Sequence, residues 1–159
     1  MPGPDLHLHS TASDGTRSPA ELVSLAHEVG CPAIALTDHD TVSGIAEAYA
    51  TAEHLPVTVI PGVELSAGFG DRGMHILGYH IDHADPRLGE RLARLRATRL
   101  ERAERIVYAL ARDGFSISVQ DVLDAADGGS IGRAHIAQLL VSTGQVPSVA
   151  EAFGTLLGK

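Results

Sequence analysis

One cysteine, Cys31, stands in 159 residues. No internal disulfide can form, which fits a reducing cytosol. With no catalytic motif around it, Cys31 reads as a small buried hydrophobe. No apolar run approaches the roughly 18 residues of a membrane span. The start, Met1-Pro2-Gly3-Pro4, has no basic stretch and no apolar segment that would direct export. A cytoplasmic protein with no membrane partner is therefore expected. Basic residues are also few, 12 against 20 acidic, for a net charge of −8. Residues 86–112 hold eight of the twelve, all Arg, against three Glu, a local +5 that leaves −13 for the remainder. Aromatics are only 4% of the chain. The arginines are thus not interleaved with stacking side chains, and Glu90/Arg94 and Glu101/Arg105 pair at i,i+4. A solvated helix face is the favoured reading of this segment, with attraction of a polyanion such as RNA as a secondary effect.

What is abundant is apolar residues and histidine. At 44% apolar the chain is globular, and eight of its nine histidines precede residue 84. Residues 4–9 alternate and read as a strand. Ser18-Pro19-Ala20-Glu21 is a capping box with Pro at the first helical position, and Gly30 ends that helix. Residues 33–37 form an apolar run suited to a buried parallel strand. A helix is expected over 43–54, and a strand over 57–60, with Pro61-Gly62 bending the chain before Val63-Glu64-Leu65. A further strand is expected over 74–79. Strand-helix-strand-helix-strand predicts a parallel α/β sheet or barrel. At Asp85-Pro86 the pattern changes. A long helix runs to about Arg112 with a seam of Leu88, Leu92, Leu95, Ala103, Val107 and Leu110, and Gly114 stops it. Ser118 and Ser148 cap two more helices, and another begins near Gly132-Arg133. The division is 1–84, α/β, and 85–159, all-helical.

His7 and His9 lie two apart on a strand, their Cα atoms ~6.6 Å apart on one face, so both imidazoles can lean onto one ion. Leu6 and Leu8 face the other way, into a core. Asp14 sits in the polar loop after this strand. Asp38-His39-Asp40 follows the second strand, Glu64 ends the third and His75 opens the fourth. Active sites of parallel β/α architectures gather at strand carboxyl ends, so the set points to metal binding. His80, His27, His54 and His83 are set aside as structural or solvated.

Asp5-Leu6-His7-Leu8-His9-Ser10, Ser13-Asp14-Gly15, Leu36-Thr37-Asp38-His39-Asp40, Gly62-Val63-Glu64-Leu65-Ser66 and His75 in Met74–Tyr79 resemble the motifs of the polymerase-and-histidinol-phosphatase (PHP) family. The long helix and Gly132-Arg133-Ala134-His135-Ile136-Ala137 resemble the helical insertion of the branch that removes phosphate from nucleotides and short RNA. The resemblance implies an α/β fold, a partial distorted β/α (TIM-like) PHP barrel followed by an all-helical insertion domain. It implies two to three divalent ions, Mn, Zn or Fe. His7 and His9 would hold one, Glu64 would bridge it to a second on His75, and Asp14 and His39 would hold a third. Arg133 and His135 would meet the substrate phosphate. The residues alone leave Arg133 open between that role and a surface charge. They also leave Asp40 open between proton transfer and orienting a ligand.

The implied function is a phosphoesterase acting on nucleotides or short RNA through a metal-activated hydroxide. The family's later His-Pro and Ser-Asp-x-His steps, which finish the metal sites, have no counterpart here. The alternative is therefore a catalytically incomplete metal-binding fragment that self-associates or needs a complementing C-terminal half. A third possibility is an Arg-rich nucleic-acid-binding module with vestigial histidines.

Overall fold

A computed structural model describes residues 2–69 and 72–158, the side chains of Phe69 and Arg72 aside. Four strands form one sheet in the order β1 (Asp5–Leu8), β2 (Ala33–Leu36), β3 (Thr58–Phe69), β4 (Arg72–Tyr79). β1, β2 and the first part of β3 are parallel, with Ala33 opposite Thr58 and Leu36 opposite Pro61. The crossovers are α1 (Pro19–Val29) and α2 (Ile45–Ala52). The capping box at Ser18 forms as expected, and Gly30 closes α1 in the left-handed conformation at φ 73°. Buried Leu22, Val23 and Ala26 of α1 and Ile45 and Ala48 of α2 pack against Ile34, Leu36 and Val59 of the sheet.

Two expectations are corrected. Pro61-Gly62 does not end the third strand. The missing N–H of Pro61 falls at the last parallel pair with β2, and β3 runs on by exchanging one partner for another. From Gly62, opposite Tyr79, to Phe69, opposite Arg72, it pairs with β4 in the antiparallel sense. The fourth strand is thus the return arm of a hairpin and no parallel strand. Gly62 is required at the exchange point, since a Cβ there would lie 2.8 Å from Thr37 Cγ2 and 3.0 Å from two backbone oxygens. The second correction concerns β1, where Leu8 packs on the core but Leu6 is 44% exposed.

Residues 86–157 carry four helices joined by short loops: α3 (Pro86–Arg112), α4 (Val119–Ala126), α5 (Arg133–Ser142) and α6 (Val149–Ala152), the last running into one π-helical turn, Phe153–Leu157. Ser118 and Ser148 cap α4 and α6 as the sequence predicts. A second, separate core joins Ala103, Val107 and Leu110 of α3 to Val122, Ile136, Leu140 and Leu157. Gly62→Ala should destabilise the protein by about 1–3 kcal/mol through overpacking. Gly73→Ala on β4, with nothing within 4 Å of the added methyl, should change stability by under ~1 kcal/mol. Urea melts of the two variants decide this.

Candidate metal centre

Pairing geometry places the ligands. His39 forms a lone parallel bridge with Glu64, and the Glu64 N–H donates to the Asp38 carbonyl at 3.2 Å. Ser66 lies opposite His75 and Glu64 opposite Leu77, so Glu64 and His75 are diagonal neighbours on one sheet face. The hairpin, and not a strand carboxyl end, delivers His75.

Glu64 is the hub. It is 5% exposed, yet four imidazoles converge on it. His7 Nε2 lies 2.8 Å and His9 Nε2 2.9 Å from its Oε2, His75 Nδ1 contacts Oε1, and His39 Nδ1 stands 3.7 Å from Oε2. Burial alone would raise the Glu64 carboxyl. The hydrogen bonds from His7 and His75 reverse this and hold it below its ordinary value. Asp14 joins on the other side, 3.5 Å from His9 Nδ1 and 3.7 Å from His39 Nε2. All six predicted ligands are brought together, in three overlapping groups: His7, His9 and Glu64; His9, Asp14 and His39; His39, Glu64 and His75. His27, His54, His80 and His83 stay outside them.

The chemistry of this donor set fits divalent cations. His39 Nδ1 is buried with no hydrogen-bond partner, a costly state for a polar atom in a protein of ordinary design. Burial, then the nearby Arg99 charge, lowers the His39 pKa from 6.5 to about 4. The ring is therefore neutral near pH 7 with a lone pair to offer.

Two buried aspartates frame the centre without joining it. Asp38, 2% exposed, accepts from Ser10 N–H at 2.7 Å, Ser10 Oγ at 2.7 Å and Ser13 Oγ at 2.6 Å, and so fixes the loop that carries Asp14. Asp40, fully buried, follows His39 in the left-handed conformation at φ 51°, which Asp tolerates better than most residues. Its N–H donates to the Glu64 carbonyl at 3.0 Å. Its carboxylate accepts from Ser66 N–H at 2.7 Å, Ser66 Oγ at 2.6 Å and Arg99 Nε at 2.5 Å. Both oxygens therefore accept hydrogen bonds from the protein, one from Ser66 N–H and the other from Ser66 Oγ and Arg99. Arg99 also donates to Ser66 Oγ at 2.8 Å and the Ile131 carbonyl at 3.3 Å, and Arg96 donates to the Asp40 carbonyl at 2.9 Å.

A model of the PHP domain matches residues 5–120. The chain belongs to the PHP domain family. It is 41% identical to the 5′-3′ exoribonuclease of Haemophilus influenzae, over 98% of this chain and 56% of that protein. It is 37% identical to the 3′,5′-nucleoside bisphosphate phosphatase of Chromobacterium violaceum, over 94% of this chain and 53% of that one. A solved structure of a candidate metal-dependent phosphoesterase from Bifidobacterium adolescentis superposes with a TM-score of 0.89 at 35% identity, covering 98% of this chain and 55% of that chain. The chain thus spans about half the length of the curated relatives it matches.

Other features of this PHP chain depart from what the sequence predicts. The arginine helix is not simply a solvated face. Neither Glu90/Arg94 nor Glu101/Arg105 closes an ion pair among the described residues, while Arg96 and Arg99 turn inward. One signal for Arg99 lies in the sequence, since residues 88, 92, 95, 99, 103 and 107 form one stripe in which 99 is the cation of an otherwise apolar seam, but nothing there names its partner. His135, expected at the substrate phosphate, is held by the protein itself. It is 5% exposed, accepts from Gly132 N–H at 3.0 Å through Nδ1, and faces the Ser13 backbone with its other edge. Burial keeps its pKa low, so it is a neutral tie between α5 and the Asp14 loop. Gly132 permits this approach, since a Cβ there would meet Asp14 Oδ2 at 2.9 Å. Arg133 stands at the edge of this cluster. It lines, with Asp14, His39, His75, Arg99 and Arg102, a cavity of about 200 Å³, while Nη1 donates to the Leu157 carbonyl at 2.7 Å and the guanidinium sits 5.6 Å over Phe153.

Removing one partner of a buried pair strands the other's charge. Arg99→Met should cost about 3–5 kcal/mol, and the double variant Asp40→Asn/Arg99→Met should cost clearly less than the two single losses added. A double-mutant cycle in urea measures both.

Proposed function

We propose that this centre is the core of a metal-dependent phosphoesterase acting on nucleotides or short RNA. The carrying observation is Glu64, a nearly buried carboxylate enclosed by four imidazoles, with Asp14 and a wall of arginines alongside. Divalent cations, Mn, Zn or Fe, would supply Lewis acidity there, acidifying water and neutralising phosphoryl charge. A neutral imidazole has one lone pair, so His9 and His39 can each serve only one of the three groups. His7, His9 and Glu64 would hold one ion. His39, Glu64 and His75 would hold a second, or His39 would join Asp14 at a third position. A carboxylate can bridge two cations where a neutral imidazole cannot, and Glu64 would take that role. Arg133 would orient the substrate phosphate with its planar fork. His135 and Asp40 would position Asp14, His39 and Glu64.

The activities of the two relatives, an exoribonuclease and a nucleoside bisphosphate phosphatase, support this substrate class. We also read 1–84 as the N-terminal part of the barrel and 85–159 as a helical insertion, supported by the two separate cores. No helix among the described residues is long and apolar enough to cross a membrane. A cytoplasmic setting agrees with the free, buried Cys31 thiol.

A second reading, a metal-binding chain that turns over only with a complementing half or a second copy, is favoured by the open side of the sheet. The His7 and His75 side chains are 50% and 39% exposed, and Leu6, Met74 and Ile76 are exposed on the outer strands. Phosphate release from a 3′,5′-bisphosphonucleotide and a 5′-phosphorylated RNA with Mn²⁺ separates the readings. The phosphoesterase gives turnover that Glu64→Gln lowers at least ~100-fold. Mn²⁺ binding without turnover supports the second reading, and turnover indifferent to Glu64→Gln overturns the assignment.

A further inference from the structure

The two ring nitrogens of His9 face different neighbours. Nε2 lies 2.9 Å from Glu64 Oε2. Nδ1 lies 3.4 Å from Ser13 Oγ and 3.5 Å from Asp14 Oδ1. A metal-bound imidazole is neutral, with one proton and one lone pair. The nitrogen that keeps the proton therefore decides which ligand group the ring can serve. Nε2 points to the group with His7 and Glu64. Nδ1 points to Asp14, which belongs to the group with His39.

Ser13 returns to His9 because the loop after β1 folds back over the end of the strand. The N–H groups of Ser13 and Gly15 both donate to the Ser10 carbonyl, at 3.0 and 2.9 Å. Ser13 is 1% exposed, and its hydroxyl donates to Asp38 Oδ1 at 2.6 Å. Its other carboxylate contact, to Asp14 Oδ1, is 3.5 Å, so the short contact claims the one hydroxyl proton. Asp38 also accepts from Ser10 N–H and Ser10 Oγ, at 2.7 Å each, which fixes its orientation. With its proton committed to Asp38, Ser13 Oγ has only lone pairs to turn to His9. Asp14, the second neighbour of Nδ1, is likewise an acceptor when ionised. Both neighbours thus call for a proton on Nδ1. Ser13 is the one tied down by the protein, whereas the Asp14 oxygens stand where an ion shared with His39 would draw on them.

We propose that Ser13, fixed by Asp38, is a positioning residue that keeps the proton of His9 on Nδ1 and so commits the Nε2 lone pair to the ion held with His7 and Glu64. The consequence for the ion rests on the reading of the centre above, but the tautomer does not. The group with Asp14 and His39 then loses His9 and keeps those two donors. A hydrogen bond to the far nitrogen of a ligating histidine fixes both its tautomer and its orientation.

The test is nitrogen NMR of the histidine rings in the full chain, in EDTA, with Glu64→Gln present so that no carboxylate faces Nε2. On the alkaline plateau of the ring's titration the proton should sit on Nδ1. Adding Ser13→Ala should move it to Nε2 in most molecules, and Ser13→Thr, which keeps the hydroxyl, should leave it on Nδ1. A serine that only packs would not move the proton. A proton found on Nε2 before any change at Ser13 overturns the proposal. So does a proton that Ser13→Ala leaves on Nδ1, which gives the role to Asp14 alone. Should Ser13→Ala fail to fold in a thermal melt, Ser13→Cys replaces it, since sulfur is a weak acceptor. Mn²⁺ titration with Glu64 intact reads the centre separately. Ser13→Ala should weaken Mn²⁺ binding about tenfold, and Ser13→Thr should stay close to wild type. A proton that follows Ser13 with Mn²⁺ affinity unchanged overturns the commitment of Nε2. Normal Mn²⁺ binding with an unmoved proton sinks the positioning role alone. A proton that follows Ser13 in a chain that binds no Mn²⁺ supports the role and overturns the reading of the centre.

Discussion

The carboxylate of Asp40 has no exposed surface, and its charge is balanced by one side chain from 59 residues downstream, Arg99. Burying either charge alone would cost several kcal/mol, so α3 and the sheet must meet at this point or both ions are stranded. The same aspartate is covalently next to His39, bonded through its backbone to Glu64 and through its carboxylate to Ser66, opposite His75. Arg99 extends the chain of contacts to Ile131, next to Gly132 and Arg133. The candidate metal ligands and the arginine wall are therefore held to each other by one polar network crossing between two separate hydrophobic cores.

Around that network the molecule divides its charges. Asp38 and Asp40, which lie outside the three ligand groups, have their oxygens filled by protein donors. Glu64 and Asp14 instead face imidazoles, and His39 keeps a nitrogen that nothing in the protein satisfies. An incomplete polar set at the end of an otherwise satisfied network is what a cation site requires, because the ion completes it. The arginines continue the pattern outward, where Arg99, Arg102 and Arg133 line the cavity beside Asp14, His39 and His75.

Much of this was legible in the residues. The capping boxes at Ser18 and Ser118 are local chemistry and formed where the pattern put them. His7, His9, Asp14, His39 and Glu64 met because the parallel strands β1, β2 and β3 place their ends side by side, whereas His75 arrives through the antiparallel hairpin. Less legible were Asp40, Arg99 and His135. Arg99 interrupts an apolar seam, which marks a buried cation but does not name its partner. His135 sits at the third position of a helix whose cap, Gly132, has no side chain, and its commitment to that cap appears only in three dimensions.

The sequence by itself determined the elements, the ligand types and the acidic-to-basic change at residue 86, since each depends on neighbours within a few residues. Tertiary structure decided which strand runs antiparallel, which imidazoles Glu64 gathers and which arginine answers Asp40. Those outcomes depend on pairing across 11, 57 and 59 residues. Burial makes each of them obligatory, because a charge or hydrogen-bonding group removed from water must find its partner wherever the fold brings one.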